Sequence, residues 1–136
     1  MNYLLDVNLL LAWGWSDHPD HLRTATWLAA VKRQAGSKLH TCSIVELGFI
    51  RVSFQRTGGR VSIAAAGTLL AGMLSAMGKK HTLLADDLSP AASLPPWCVG
   101  ASQTTDAHLL GLATRHGAML ATLDTGIPGG FVLPAV

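Results

Sequence analysis

Four carboxylates stand at places where a packed chain would ordinarily keep apolar or neutral residues: Asp6 in NYLLDVNLLLAW, Glu46 in SIVELGFIRV, Asp106 in TTDAHLLGLATRHG and Asp124 in LATLDTGI. Asp6 is the sharpest case, because it interrupts an apolar run, and a buried charge costs roughly several kcal/mol unless it is paired, hydrogen-bonded or coordinated. If the four gather, they repel one another and raise their own pKa values until a cation neutralises them. Hard oxygen donors select hard cations, so Mg²⁺ is the expected ion, with Mn²⁺ as a substitute. Zn²⁺ would want His or Cys among its ligands, and none stands at these four positions. A Mg²⁺ ion held this way typically keeps waters that can be turned into nucleophiles.

Each acid also has a plainer use. Ser43 and Glu46 fit a capping box in which Glu46 reaches back to the Ser43 amide. Asp106 suits the positive end of a helix dipole, Asp124 suits a turn, and Asp6 could cap the helix that follows it. What separates these uses from a shared site is where the surrounding elements deliver the side chains.

Tyr3–Leu5 reads as a short buried strand, followed by a brief helix from about Asn8 to Trp15. SDHPDH offers Ser16 and Asp17 as caps with Pro19 in the first turn of a helix that runs through Trp27, Leu28 and Val31 to Lys32 and Arg33 and stops at Gly36. Lys38–Cys42 is a second strand, and the stretch from Ser43 is a helix ending at Gly58-Gly59. An Ala-rich helix follows, then a third strand at His81–Leu84 and a Pro-rich surface loop, SPAASLPPW. A last helix begins at Thr104 or Thr105 and stops at Gly117, AMLATLD is a fourth strand, and Phe131–Leu133 adds a fifth.

Short apolar strands alternating with helices imply an α/β three-layer sandwich, with a parallel sheet of four to five strands flanked by helices. The 136 residues fit a single domain spanning 1–136. In such a sheet ligands bind beyond the carboxyl ends of the strands. Asp6 and Asp124 each follow a strand, while Glu46 and Asp106 each lie in the first turn of a helix starting at that edge. Four of the chain's eight acids could therefore meet in one pocket.

Composition excludes several alternatives. A net charge of +2 says little about partners. Cys42 and Cys98 form no C-x-x-C pair, which fits a reducing compartment. Val61 to Gly78 carries no charge, yet it is rich in Ala, Gly and Ser, and Ile63, Ala66, Leu70, Met73 and Met77 recur at helical spacing, as in a helix buried along one side of a soluble protein. No membrane span is expected, and no basic region precedes the first apolar run as in a secretory signal, so the expected location is the cytoplasm. Neither nucleotide-binding glycine motif occurs. His18 and His21 beside Asp17 and Asp20 resemble a zinc cluster, but a helix entry explains them more simply. Asp86-Asp87 is the competing acidic pair.

The fragments LLDVNLLLA, HPDHLRTATWL, CSIVELGFIRV, TTDAHLLGLATRHG and LATLDTGI, in this order and spacing, resemble a PIN domain, specifically the VapC toxin half of a VapBC toxin–antitoxin pair. The resemblance implies a metal-dependent ribonuclease whose acidic quartet maps onto Asp6, Glu46, Asp106 and Asp124, with Asp6 and Asp106 the most direct Mg²⁺ ligands. It implies that Asn8 and Thr122 support the acids by hydrogen bonds. It also implies a VapB-like antitoxin partner and a homodimer. Thr125 departs from many relatives, which carry Arg after the fourth acid. Among the cations available for RNA phosphates, Arg51 is favoured near the cleft, on the helix that begins at the active edge. The competing reading is a catalytically idle PIN-fold module that binds RNA or a protein partner.

Overall fold

The strand carrying Tyr3, Leu4 and Leu5, β1 (Asn2–Leu5), is the middle strand of a five-stranded sheet and is buried along most of its length. It pairs in parallel with β2 (Lys38–Thr41) on one side and β4 (Met119–Thr122) on the other. β3 (His81–Leu83) extends the sheet beyond β2, and β5 (Phe131–Val132) extends it beyond β4, giving the order β3-β2-β1-β4-β5 with every pairing parallel. A parallel sheet needs cover on its faces. Six helices supply it, so the chain forms the expected three-layer α/β sandwich. These are α1 (Val7–Gly14), α2 (His21–Arg33), α3 (Ser43–Arg56), α4 (Ile63–Met77), α5 (Pro90–Ser93) and α6 (Thr104–Arg115). The computed structural model describes all residues from Met1 to Val136.

The core is aliphatic. Leu4, Leu5, Leu9, Leu10, Leu39, Phe49, Leu109, Leu112 and Leu120 are fully enclosed, each contributing about 1.5–3 kcal/mol relative to exposure. α6 packs on β4 and β1, while α1 packs on α2 and α3, and α3 on α4. Two glycines set how closely α1 and α3 approach. A Cβ at Gly48 would stand 2.7 Å from Val7 Cγ2, and one at Gly14 would stand 2.8 Å from Phe49 Cε2. Both helices also meet the candidate site, since Val7 follows Asp6 and Gly48 is two residues past Glu46.

The structure departs from the sequence expectations in three local ways. α2 begins at His21 rather than at Pro19 or before it, because the His18 ring nitrogen accepts from the Asp20 amide and ties SDHPDH into a turn. The expected loop SPAASLPPW holds the one-turn helix α5, with Pro90 in its first turn and the Ser93 hydroxyl donating to the Ser89 carbonyl. β4 ends at Thr122, two residues before Asp124. No helix is long and apolar enough to cross a membrane.

Candidate functional site

Asp6 is only 4% exposed, directly after the central strand, where its amide donates to the Ala121 carbonyl of β4. Each of its carboxylate oxygens accepts one hydrogen bond. Oδ1 accepts from the Val7 amide at 2.7 Å, which caps α1, and Oδ2 accepts from the Thr122 hydroxyl at 2.7 Å. Capping and site placement are thus compatible uses of one side chain.

Thr122 organises the floor of the site. Besides donating to Asp6, its hydroxyl accepts from Asn8 Nδ2 at 3.2 Å and from the Asp124 amide at 3.0 Å. Asn8 Oδ1 in turn accepts from the Leu123 amide at 3.2 Å, which holds the start of α1 against the end of β4. The Asp124 carboxylate accepts from the Gly126 amide at 2.7 Å, so the turn expected for this residue is present and the side chain lies in the loop beyond β4.

Three of the four carboxylates share one electrostatic environment. Burial is the main reason that the Asp6 carboxyl lies above its usual pKa, with the Asp124 charge adding to the rise and the Thr122 and Val7 hydrogen bonds opposing it. Asp106, in the first turn of α6, is also held above the usual range, by burial first and then by the charges of Asp6 and Asp124. All the ion pairs in the protein join other residues, so no Lys or Arg offsets this charge. The donors are all hard oxygens, which fits a Mg²⁺-type ion rather than Zn²⁺. Even so, no three acidic, histidine or cysteine side chains stand close enough to close on one ion without moving.

Glu46 lies in the first turn of α3 but faces a different partner. The capping box expected with Ser43 does not form. Instead Glu46 Oε2 accepts from the Thr41 hydroxyl at 2.7 Å, and α3 starts from Cys42 without a side-chain cap. The Thr41 oxygen also lies 2.7 Å from His81 Nε2. Since the hydroxyl hydrogen goes to Glu46, His81 must donate, giving a chain from β3 through β2 to α3. Sequence reading missed Thr41 and His81, because their contact depends on the β2–β3 register, which pairs Leu39 with His81.

Arg51 is exposed and makes no hydrogen bond or ion pair. It lies with Leu47, Ile50, Phe54 and Ile63 along an apolar groove on α3 and α4, on a part of the surface that none of the four acids lines. Of the other cations, Arg56 pairs with Asp17, and Lys38, Lys80 and Arg60 donate to the carbonyls of Lys79, Gln34 and Thr57. The competing acids are engaged elsewhere. Asp86 pairs with His108, and Asp87 with Arg115 and His116. His18 accepts from the Asp20 amide within the turn and His21 Nδ1 lies 2.9 Å from the Ala12 carbonyl of α1, so DHPDH is a helix entry. Trp27 is in the core, while Trp13 and Trp15 are half-buried.

Comparison with known proteins identifies the family. A family model described as PIN domain matches residues 3–128. Ribonuclease VapC38 of Mycobacterium tuberculosis is 40% identical over 91% of this chain and 86% of its own length. Ribonuclease VapC39 of the same species is 33% identical over 93% of this chain and 91% of its own. Among solved structures, a chain in the crystal structure of VapBC2 from Rickettsia felis bound to a DNA fragment from their promoter superimposes with a TM-score of 0.68 over 97% of both chains, at 16% identity, which is a likeness of fold.

Proposed function

This chain belongs to the PIN domain family, and we propose that it is a VapC-like toxin, an endoribonuclease that hydrolyses RNA phosphodiester bonds with Mg²⁺ or Mn²⁺ held by Asp6, Asp106, Asp124 and Glu46. The observation that carries this reading is that Asp6 and Asp124, which follow β1 and β4, and Asp106, in the first turn of α6, come near enough for the Asp124 charge to raise Asp6 and for the Asp6 and Asp124 charges to raise Asp106, with no cationic side chain paired to any of them. Uncompensated carboxylates of this kind are costly unless they serve a cation.

In this role Asp6 and Asp106 are the central oxygen donors. Thr122 and Asn8 fix the orientation of Asp6 and of the Asp124 loop, as hydrogen-bonding partners commonly do for metal-binding side chains. Glu46, held by Thr41, completes the acidic rim. When bound, Mg²⁺ supplies the positive charge that activates water and offsets the charge on the leaving oxygen of the phosphodiester. Without it the acids repel RNA, so RNA and divalent cation should bind cooperatively. Arg51 is a phosphate contact only for RNA that extends along α3. A VapB-like antitoxin that covers the acidic cleft, a homodimeric state and action in the cytoplasm complete the proposal. The names of the relatives support the ribonuclease part of this reading, and the VapBC complex that shares this fold supports the antitoxin part.

The test is cleavage of single-stranded and structured RNA in Mg²⁺ or Mn²⁺, compared with Asp6→Asn, together with mapping of RNA ends in cells expressing each form. Divalent-dependent cleavage that disappears in Asp6→Asn is expected. An idle binding module would give no cleavage with either ion.

A further inference from the structure

Beside the acidic cluster lies an open cavity of about 390 Å³, lined by Ile44, Asp86, Leu88, Pro90, Leu94, Thr104, Thr105 and His108. Its position follows from two helix starts. Thr104 and Thr105 immediately precede Asp106 in α6, and Ile44 lies two residues before Glu46 in α3. The volume falls within the range of about 300–1,000 Å³ typical of small-ligand clefts. The walls from Ile44, Leu88, Pro90 and Leu94 are aliphatic, and the polar groups are concentrated at Asp86 and the two threonines.

Asp86 is held in place from behind. Its two oxygens lie 2.9 and 3.0 Å from Nε2 of His108, which is 7% exposed. The other ring nitrogen, Nδ1, is buried without a partner. A buried N–H with no acceptor costs more than a bare ring lone pair, so the tautomer with hydrogen on Nε2 fits this environment. His108 then donates to Asp86 and leaves the carboxylate as a pure acceptor. Each carboxylate oxygen has two acceptor positions, so both keep one for a ligand after His108 is served.

We propose that this cavity receives one unpaired guanine base of the RNA substrate, with Asp86 accepting hydrogen bonds from the base. The inference rests on the ribonuclease reading above for the identity of the polymer. The chemistry of the four bases selects guanine, because its Watson–Crick edge presents two adjacent donors, N1–H and the exocyclic amine, matching the two oxygens of a carboxylate. Adenine and cytosine place a ring-nitrogen acceptor beside their one amine, and uracil flanks its single N–H with two carbonyls, so each sets a lone pair against Asp86. Sequence-specific recognition of RNA commonly uses unstacked bases read at this edge. Asp86 is a specificity residue here, and His108 is a positioning residue.

Mononucleotides test the cavity without any cleavable bond. Guanosine 5′-monophosphate and inosine 5′-monophosphate, which lacks the exocyclic amine, are titrated into the ¹⁵N-labelled protein while the amides of Thr104, Thr105 and His108 are followed by NMR. The expected result is a guanosine preference of about 5- to 10-fold over inosine, as for loss of one half of a bidentate pair. Asp86→Asn should abolish that preference while its amide oxygen still accepts from His108, and Leu94→Trp at the exposed rim should block both nucleotides by filling the cavity. Equal affinities for the two nucleotides, absence of shifts at those amides at millimolar nucleotide, or an unchanged preference in Asp86→Asn would each overturn the proposal. Guanosine preference in a protein that cleaves no RNA would leave the pocket standing and remove the nuclease reading.

Discussion

The Thr122 hydroxyl donates to Asp6 Oδ2 at 2.7 Å across a sequence separation of 116 residues, and both groups are buried. This contact joins the ends of β1 and β4, and through the same oxygen it fixes Asn8 and the Asp124 amide.

Thr122→Val keeps the shape of the side chain but removes one donor and two acceptor contacts. Leaving buried polar partners unmet should lower stability by about 2–3 kcal/mol, read as a shift in the urea midpoint. Weakened support of the ligands should reduce Mn²⁺ affinity by about 10- to 100-fold in calorimetric titration. Thr122→Ser should restore most of both. Unchanged Mn²⁺ binding in a folded Thr122→Val protein would remove the hydroxyl from any supporting role.

Asp106 makes no hydrogen bond, and its carboxyl is raised by burial and by the charges of Asp6 and Asp124. Asp106→Asn should therefore stabilise the metal-free protein, by less than about 1 kcal/mol because the site is partly solvated. The corresponding rise in melting temperature is on the order of 2 °C. The same change should abolish cleavage and the thermal stabilisation that Mg²⁺ gives the native chain, which grows with ion concentration. Loss of stability in metal-free Asp106→Asn would contradict the picture of uncompensated repulsion.

The pH dependence has a definite sign. With Asp6 and Asp106 raised above 3.8, the folded protein binds more protons than the unfolded chain between that value and their folded pKa values. Their contribution to stability therefore grows as pH falls through the window and is lost as pH rises out of it. His40 and His81, lowered from 6.5 mainly by burial, act oppositely, since the folded state resists protonating them and stability declines as pH drops below 6.5. The stability gap between Asp106→Asn and the native protein isolates the acid term. It should be open at neutral pH and close on acidification. A gap independent of pH would count against it.

Gly48→Ala places a methyl 2.7 Å from Val7 Cγ2, which forces α1 and α3 apart. Overpacking of this kind should cost about 1–3 kcal/mol. Because Val7 follows Asp6, divalent affinity should also fall, whereas Gly67→Ala, which meets nothing within 4 Å on α4, should stabilise by about 0.5–1 kcal/mol and leave divalent affinity unchanged.

The strands and long helices were legible from apolar runs and helical spacing, because burial dictates both. Their ends moved by a residue or two where local hydrogen bonds decided them, as at His18–Asp20. Asp6 was readable as unusual because a carboxylate inside an apolar run needs a partner. The identity of its partners was not readable from spacing alone, since Thr122 meets it only through strand pairing. Glu46 shows the limit most clearly. Its spacing from Ser43 suggested a local cap, but the contact it makes is with Thr41, whose side chain is presented by β2. His108 gave no sign of its role, because a histidine within a helix reads as core or surface until Asp86 is brought beside it by the loop after β3.

The central position of β1 has a bearing on biosynthesis. Asp6 is translated 116 residues before Thr122, the partner that its carboxylate accepts from, and Asp124 follows later still. A growing chain therefore carries Asp6 without its later partners until Thr122 and Asp124 have emerged from the ribosome, so any RNA cleavage that needs the assembled acids can begin only after that point.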